Sequence, residues 1–551
     1  MKITSISLTN FRSFKETQTI ELAPVTLLFG PNSVGKSSVL MALAYVQQIL
    51  EKGHCDPQTL SALGDKLIGG FRSLVHNGNL DSTIKIRLEF EMGATIFPAD
   101  DDDYSYLANI FNSEIIELED FGGSVETFAF ELEVAWANES ETAYVRDYRV
   151  WVNGDYLGRL HCKEDLKNPY IADLNLLHAL ALTSSEREIE PEHFTEGMLL
   201  SDLDDSLSDE AMTPSQTELE MVLENLTPGS AALGSDELLP EGGLSRSRPL
   251  GISCQWGAIP IAGDNLKTNM KYSDLEPDEN HLQFLVIRNF LNHAFLHPLQ
   301  LAKRFLHSYV AIGPMRVVPD FDYVPNPNPE QAGWSDGRAA WDLLHQNPVS
   351  NKSAGILLEK CNDWLSDEDR LDTGYKLKNW TMFETLEGQG SYDDTHYLSR
   401  KRHLVFIEKN HDVGLSASQL GMGISQVLPV IAAANYEKLK LVSIEQPELH
   451  LHPKLQVELG DLFIDCSKDR SFLIETHSEH LILRLLKRIR QTTDKELPEN
   501  FEPISDSDIS IAYLESTTNG VVVKKIRVDE DGEFIDRWPK GFFAERRKEL
   551  M

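Results

Sequence analysis

Cysteine is scarce in this 551-residue chain: Cys55, Cys162, Cys254, Cys361 and Cys466 are scattered, and no Cys-x-x-Cys pair occurs. That excludes a cysteine zinc finger and a disulfide framework, and it suits a reducing compartment. No run of about 18 apolar residues is present to cross a bilayer. The opening MKITSISLTNFRSF has no apolar core of a signal peptide, so a cytoplasmic protein without membrane partners is expected. Sustained heptads are missing too, which excludes a long coiled coil. Positive charge is also short, with 51 Lys and Arg against 87 Asp and Glu, a formal net charge of −36.

The acidity is local. Residues 100–120 carry eight acidic side chains and no basic one, and residues 186–241 carry sixteen against Arg187 alone. The deficit argues against coating nucleic acid or an anionic membrane with the whole surface, but leaves room for a basic groove elsewhere. Serine, acidic residues, Gly and Pro dominate 183–249, which predicts a mobile surface insertion with one helix around 215–225. A solvated loop, a regulatory or nucleic-acid-mimicking segment and a docking segment all fit that composition.

Length alone implies several lobes at about 100–200 residues each. The first 50 residues predict strands at Ile3–Leu8, Ile20–Leu22 and Val25–Phe29, a glycine-rich loop at 30–35, and a helix over Ser37–Leu50. Three alternating runs, Thr83–Glu91, Glu126–Trp136 and Ala143–Val152, predict antiparallel strands. Helix is expected over His281–Ala311 and 335–372, interrupted at Asn347-Pro348. Strand and helix then alternate: His403–Glu408, Ile424–Ala434, Lys440–Glu445, 453–465, Ser471–Glu475, 479–492, with strands Ile509–Leu514 and Gly520–Val528 last. Alternation at both ends implies an α/β core assembled from distant segments, with the rest inserted.

The sharpest motif is GPNSVGKSS, Gly30–Ser38. It matches GxxxxGK(S/T) in the context that gives the pattern meaning, after a strand and before a helix. Gly30 and Gly35 let the backbone curl, so that the N–H groups of the loop, Asn32 and Ser33 included, face phosphates. The helix start adds partial positive charge at Lys36, Ser37 and Ser38. Lys36 would reach the β- and γ-phosphates and Ser37 would ligate Mg²⁺. A matching carboxylate should end another apolar strand. Glu445 does so in LVSIEQPE and can hold the Mg²⁺ shell. The next position usually carries the carboxylate that activates water, but here it is Gln446, with Glu448 the nearest substitute. Glutamine is no general base near neutral pH, so slow turnover is expected. His477, after the Ser471–Glu475 strand, is placed to sense the γ-phosphate.

Taken in order, ISLTNFRSF, LFGPNSVGKSSVLMAL, SIEQPELHLHP and LIETHSEHL resemble the ABC-type ATPases of the SMC, RecF and RecN class. The resemblance implies one ATPase head built from both chain ends, and two heads sandwiching two ATP molecules with Mg²⁺. The stretch QLGMGISQVLPVI would be the signature that completes the neighbour's nucleotide. Its usual serine is replaced by Gly421. Backbone N–H groups from Gly421 through Ser425, including Gly423, and the start of the following helix would bind phosphate, with Ser425 as a hydroxyl stand-in. Arg12, in NFRSF, is a phosphate-contact candidate or a plain surface arginine. His450 and His452 match the loop that contacts the opposite nucleotide. Gln47 and Gln48 lie inside a helix and do not suit the glutamine loop of such heads.

RWPKGFF at Arg537–Phe543, YVAIGPMRVVPDFDY and GISQVLP are similar to a bacterial RecF-like subgroup ending in Trp-Pro-x-Gly-Phe-Phe, many of whose members serve antiphage systems. PtuA-type ATPases of Septu and some retron systems, which work with an HNH nuclease, are the nearest type. The implied function is an ATP-gated sensor or scaffold controlling a partner nuclease, alongside nucleic acid or a retron nucleoprotein. Alternatives are a RecF-like repair ATPase using Arg484, Lys487, Arg488, Arg490 and the closing Arg546, Arg547 and Lys548, an OLD-like ATPase-nuclease, and a transporter ATPase. The nuclease alternative needs a carboxylate set. The only late candidate, Asp529-Glu530-Asp531, is expected to be a turn. The expected partition is an N-terminal ATPase lobe over 1–165 with an acidic loop at 97–123, an insertion over 166–310 with its acidic part at 183–250, a helical lid region over 311–400, and a C-terminal lobe over 401–551.

Overall fold

Alternation in IKIRLEFE, Ile84–Glu91 (β4), turns Ile84, Ile86, Leu88 and Phe90 into a core and their neighbours outward. The computed structural model describes residues 1–58, 69–93, 125–181, 250–261, 263, 265–268, 287–385, 397–409 and 413–539. The expected acidic segments at 97–123 and 183–249, with the helix near 215–225, lie outside them. Two compact units divide the chain, one of Met1–Ser5, Ile49–Asp56 and Asn79–Arg304, the other of Ile6–Gln48, Pro57–Gly78 and Phe305–Met551.

In the first unit the start of β1 (Lys2–Thr9) lies beside β4, followed by β5 (Thr127–Ala137), β6 (Thr142–Val152), β7 (Asp155–His161) and β8 (Tyr170–Leu174). β4 through β8 pair antiparallel, as the alternating runs predict, and β7 and β8 extend the sheet beyond them. Stacked Phe90 and Phe128, 4.9 Å between centroids, lie in its buried layer. Short strands β9 (Cys254–Gln255) and β10 (Ile259–Pro260) form a separate pair.

The second unit is built on a six-stranded sheet whose strands come from three remote parts of the chain. Its order is β11 (Tyr309–Ile312), β15 (Leu441–Glu445), β16 (Ser471–Glu475), β3 (Val25–Phe29), β17 (Ile509–Thr517), β18 (Gly520–Lys525). All neighbours are parallel except β17 and β18. β3 and β16 are buried at every residue, as parallel strands covered on both faces must be. The later half of β1 belongs to this unit, beside β2 (Gln18–Glu21). This is an α/β fold whose parallel core is assembled from N- and C-terminal segments.

One expected helix ends early. α2 (His297–Leu306) stops before Tyr309, and Tyr309–Ile312 becomes the edge strand β11. β-branched Val310 and Ile312 favour that choice, and the partner that settles it, Leu441–Ile444, lies about 130 residues away. The 311–400 region holds the expected helices, α3 (Arg338–Leu344) and α4 (Lys352–Ser366), on either side of the Asn347-Pro348 break. It also holds strand β12 (Tyr375–Thr385), paired antiparallel with β13 (Tyr397–Glu408), to which β14 (Gly414–Leu415) adds.

Helix α1 (Lys36–Lys52) follows β3, and α5 (Met422–Asn435), α6 (Pro453–Cys466) and α7 (Glu479–Thr493) surround the C-terminal strands. Two of these starts are capped locally. His452 Nδ1 accepts from the Lys454 N–H with Pro453 opening α6, and Ser478 Oγ accepts from the Leu481 N–H of α7. The role expected of His452 at an opposite nucleotide therefore competes with a capping role. No helix among the described residues is long and apolar enough to cross a membrane.

Candidate nucleotide site

β3 delivers the chain into the loop at Gly30 and α1 takes it up at Lys36. Gly30, Ser33 and Gly35 all have positive φ, at 145°, 61° and 118°. A Cβ on Gly35 would stand 2.2 Å from Ser13 Oγ, so the turn after β1 presses directly against this loop and only glycine fits. Asn32 and Ser33 are exposed at the loop crest, whereas Ser38 is buried and its N–H donates to Gly35 O at 3.0 Å. Arg12 occupies the same turn at φ 52°, its main chain tied to Leu74 O and to the His76 ring. Burial lowers its guanidinium pKa.

Lys36 is buried, with Nζ donating to Gly30 O and Pro31 O at 3.0 Å each and lying 3.6 Å from Glu475 Oε1. Burial depresses its pKa, and the charges of Glu475, Glu448 and Glu445 oppose that. The ammonium thus folds back onto its own loop and faces three carboxylates.

Ser37 joins the two chain ends. Its Oγ lies 2.8 Å from Glu475 Oε2 and 3.3 Å from Glu445 Oε2. β15 and β16 are adjacent and in register, with Glu445 opposite Glu475, so both carboxylates emerge at the same sheet edge. Sequence reasoning found Glu445 and passed over Glu475. The available signal was the same one: a carboxylate closing a short buried apolar strand.

The loop after β15 is held from both sides. Gln446 has φ 45° and its N–H donates to Glu475 O at 2.7 Å. Glu448 Oε1 accepts from the His477 N–H at 2.7 Å, while Glu448 Oε2 and His477 Nε2 are buried without a hydrogen-bond partner. Burial raises the Glu448 pKa. Burial, and then the Lys36 charge, lower that of His477.

Ammonium, loop N–H groups, a hydroxyl and hard carboxylate oxygens suit a triphosphate with Mg²⁺. The two partnerless buried atoms, in segments that adjoin Glu445 and Glu475, are consistent with a polar guest. Among the described residues no group of three His, Cys, Asp or Glu is arranged to hold a metal ion.

The stretch expected to be the signature, QLGMGISQVLPVI, opens α5. Gly421 caps α5, and a Cβ on Gly423 would stand 2.8 Å from His450 O. Ser425 does not act as the expected stand-in hydroxyl. It is fully buried and donates to Ala417 O at 2.7 Å, because the turn of α5 that carries it packs inward. Its neighbour Gln426 makes a reciprocal pair with Arg316, side-chain oxygen to Arg316 N–H at 3.1 Å and side-chain nitrogen to Arg316 O at 2.6 Å. Arg316 Nη2 then donates to Glu445 O at 2.8 Å. This buried guanidinium, its pKa brought down to about 10 by burial, ties α5 to the end of β15. Nothing local in the sequence marked it.

Other expectations resolve into packing. Gln47 donates to Leu306 O and Tyr309 O, a buried brace. Arg484 and Arg488 are engaged by Asp461, which removes two of the four cations expected to form a basic face on α7, while exposed Arg490 pairs with Glu533 at the surface. Asp529 Oδ1 accepts from the Asp531 and Glu533 N–H groups, the expected turn. In the tail, Trp538 packs edge-on against Phe29 at 5.3 Å. The following Gly-Phe-Phe and Arg546, Arg547 and Lys548 lie outside the described residues.

Three family models match. One described as an AAA ATPase domain covers residues 1–186. One described as "AAA domain, putative AbiEii toxin, Type IV TA system" covers 324–484. A family of unknown function, DUF3696, covers 504–551. Lys36 and Ser37 therefore lie in the stretch similar to the first of these models, and Glu445, Glu448, Glu475 and His477 in the stretch similar to the second. No curated protein matches the chain. Similar solved structures include the SMC head domain from Thermotoga maritima, at 10% identity and a TM-score of 0.35 over 96% of this chain and 100% of that one. Another is an Smc head domain with an extended coiled coil bound to the C-terminal domain of ScpA, derived from Pyrococcus furiosus, at 11% identity and 0.38 over 100% and 98%.

Proposed function

We propose that this chain binds ATP with Mg²⁺ and hydrolyses it in a pocket completed by a second copy, and that the nucleotide state governs a partner nuclease in a prokaryotic antiphage complex. The observation that carries the catalytic part is the meeting of Lys36 and Ser37 with Glu445 and Glu475, residues more than 400 positions apart.

Lys36 and the loop N–H groups of Gly30 through Ser38 neutralise the phosphates. Ser37 and Glu445 hold Mg²⁺, which supplies charge stabilisation for the leaving oxygens. Glu448, with its raised pKa and one unpaired oxygen, orients and deprotonates water in place of Gln446. His477, its pKa lowered by burial and then by the Lys36 charge, donates a ring N–H to the γ-phosphate. Gly421, Gly423 and the start of α5 offer N–H groups to the nucleotide of the other copy.

The antiphage context rests on the resemblance of the RWPKGFF tail to a subgroup many of whose members serve antiphage systems, the PtuA type among them working with an HNH nuclease. A cytoplasmic setting, with nucleic acid or a retron nucleoprotein as a further partner, belongs to the same reading. The RecF-like alternative is weakened because Arg484 and Arg488 are spent on internal ion pairs. The OLD-like alternative is weakened because Asp529 serves its own turn.

Titration of a fluorescent ATP analogue tests the site. Wild type should bind in the presence of Mg²⁺, and Lys36→Ala should weaken binding at least about 100-fold, a loss of about 2.7 kcal/mol. Equal affinity would remove the assignment. Light scattering with and without ATP tests the dimer, and purification from the native operon tests for a co-eluting HNH protein.

A further inference from the structure

We infer that Glu475 is a second carboxylate in the shell of the nucleotide's divalent cation, acting beside Glu445 and making ATP binding strongly dependent on that cation. The inference rests on the nucleotide-site reading above and deepens it.

Three observations carry it. Glu475 Oε2 is nearer to Ser37 Oγ, at 2.8 Å, than Glu445 Oε2 is, at 3.3 Å. If the serine hydroxyl ligates the cation, both carboxylates lie within reach of the same ion or of its bound water. The position is also built. Glu475 ends a fully buried strand, its backbone oxygen accepts from Gln446 N–H, and its register opposite Glu445 is set by the β15–β16 ladder. Finally, the local charge balance is unfavourable to a bare triphosphate. Glu475, Glu448 and Glu445 all act on one ammonium, Lys36, which is held 3.6 Å from Glu475. Negative phosphates entering this pocket meet an excess of like charge, and a dication offsets it. Two carboxylates flanking the ion couple its binding to that of ATP, and by linkage ATP raises cation affinity by the same factor.

The experiment measures ATP-analogue affinity in EDTA and in Mg²⁺, with Mn²⁺ binding followed by electron paramagnetic resonance in the presence of the analogue. Wild type should gain at least about tenfold in analogue affinity from Mg²⁺, within the usual range of site coupling. Glu475→Gln should bind the analogue more tightly than wild type in EDTA, because a repelling charge is gone. Its gain from Mg²⁺ should fall below about threefold, and its Mn²⁺ affinity should fall in step. If Glu475→Gln does not fold, Glu475→Asp is read instead. It keeps the charge on a shorter stem and should show intermediate coupling. A variant with wild-type coupling and wild-type Mn²⁺ affinity overturns the role of Glu475 while leaving the nucleotide site intact. A wild-type protein that binds no ATP analogue in either condition overturns the nucleotide-site reading and this inference with it.

Discussion

The side chain of Glu448 accepts the main-chain N–H of His477 at 2.7 Å, tying the loop that follows one core strand to the loop that follows the next. Glu448 is thereby held in place with its second oxygen free of protein partners. If this carboxylate is the base, turnover depends on its ionised form. Its pKa is raised by burial, so kcat should climb with pH through a value above the ordinary carboxylate range and level off beyond it. Glu448→Gln should lower kcat about 100-fold or more and abolish that acid limb. A pH–rate profile of both proteins checks it, and an unchanged limb in the variant would assign the base elsewhere.

Gln446 precedes this carboxylate by two positions and sits at positive φ with its N–H on Glu475 O. With Glu448 already serving, Gln446→Glu should change kcat by no more than about threefold, well short of the effect of adding a general base. A large rise in steady-state phosphate release would show instead that the missing carboxylate limits the reaction.

From a buried position the Arg316 guanidinium donates to the main-chain carbonyl of Gln426 in α5, at 3.2 Å, and to that of Glu445, at 2.8 Å. Arg316→Ala strands those groups without a donor and should cost about 1–3 kcal/mol of stability, read by urea unfolding. Arg316→Lys cannot reproduce the forked geometry and should recover only part of the loss. In both variants ATP-driven self-association, followed by light scattering, should weaken more than ATP binding if α5 faces the other copy as proposed, because the brace joins α5 to the end of β15.

Trp538 packs on Phe29 immediately before the phosphate loop, with Tyr513 and Phe534 also against its ring. Trp538→Ala should destabilise by about 1–3 kcal/mol in chemical unfolding. It should also raise the apparent Kd for ATP, since the residue before Gly30 loses its lateral support. A destabilised variant with unchanged ATP affinity would confine the tail to a packing role.

Much of this was legible in the sequence because its causes are local. GPNSVGKSS between an apolar strand and an amphipathic helix needs nothing distant to be recognised. The alternation of β4 follows from side-chain periodicity. Other features depended on partners far along the chain. Tyr309–Ile312 has the apolar content of a helix end and becomes a strand only because Leu441–Ile444 offers an open edge. Ser425 has the right spacing for a phosphate contact and the wrong azimuth on α5, which packing decides. Arg484 and Arg488 read as a basic face until Asp461 is brought beneath them.

By itself, then, the chain's order of residues determined the phosphate loop, the carboxylate-ended strand Leu441–Glu445, and the need for an α/β core joining both ends, because each is written in contiguous residues obeying backbone and burial rules. Only the tertiary structure decided that Glu475 stands beside Glu445 at Ser37, that Glu448 is tethered to His477, and that Arg316 braces α5. Parallel strands bring together side chains with no sequence proximity, and their register, a property of the whole sheet, chooses which carboxylates meet.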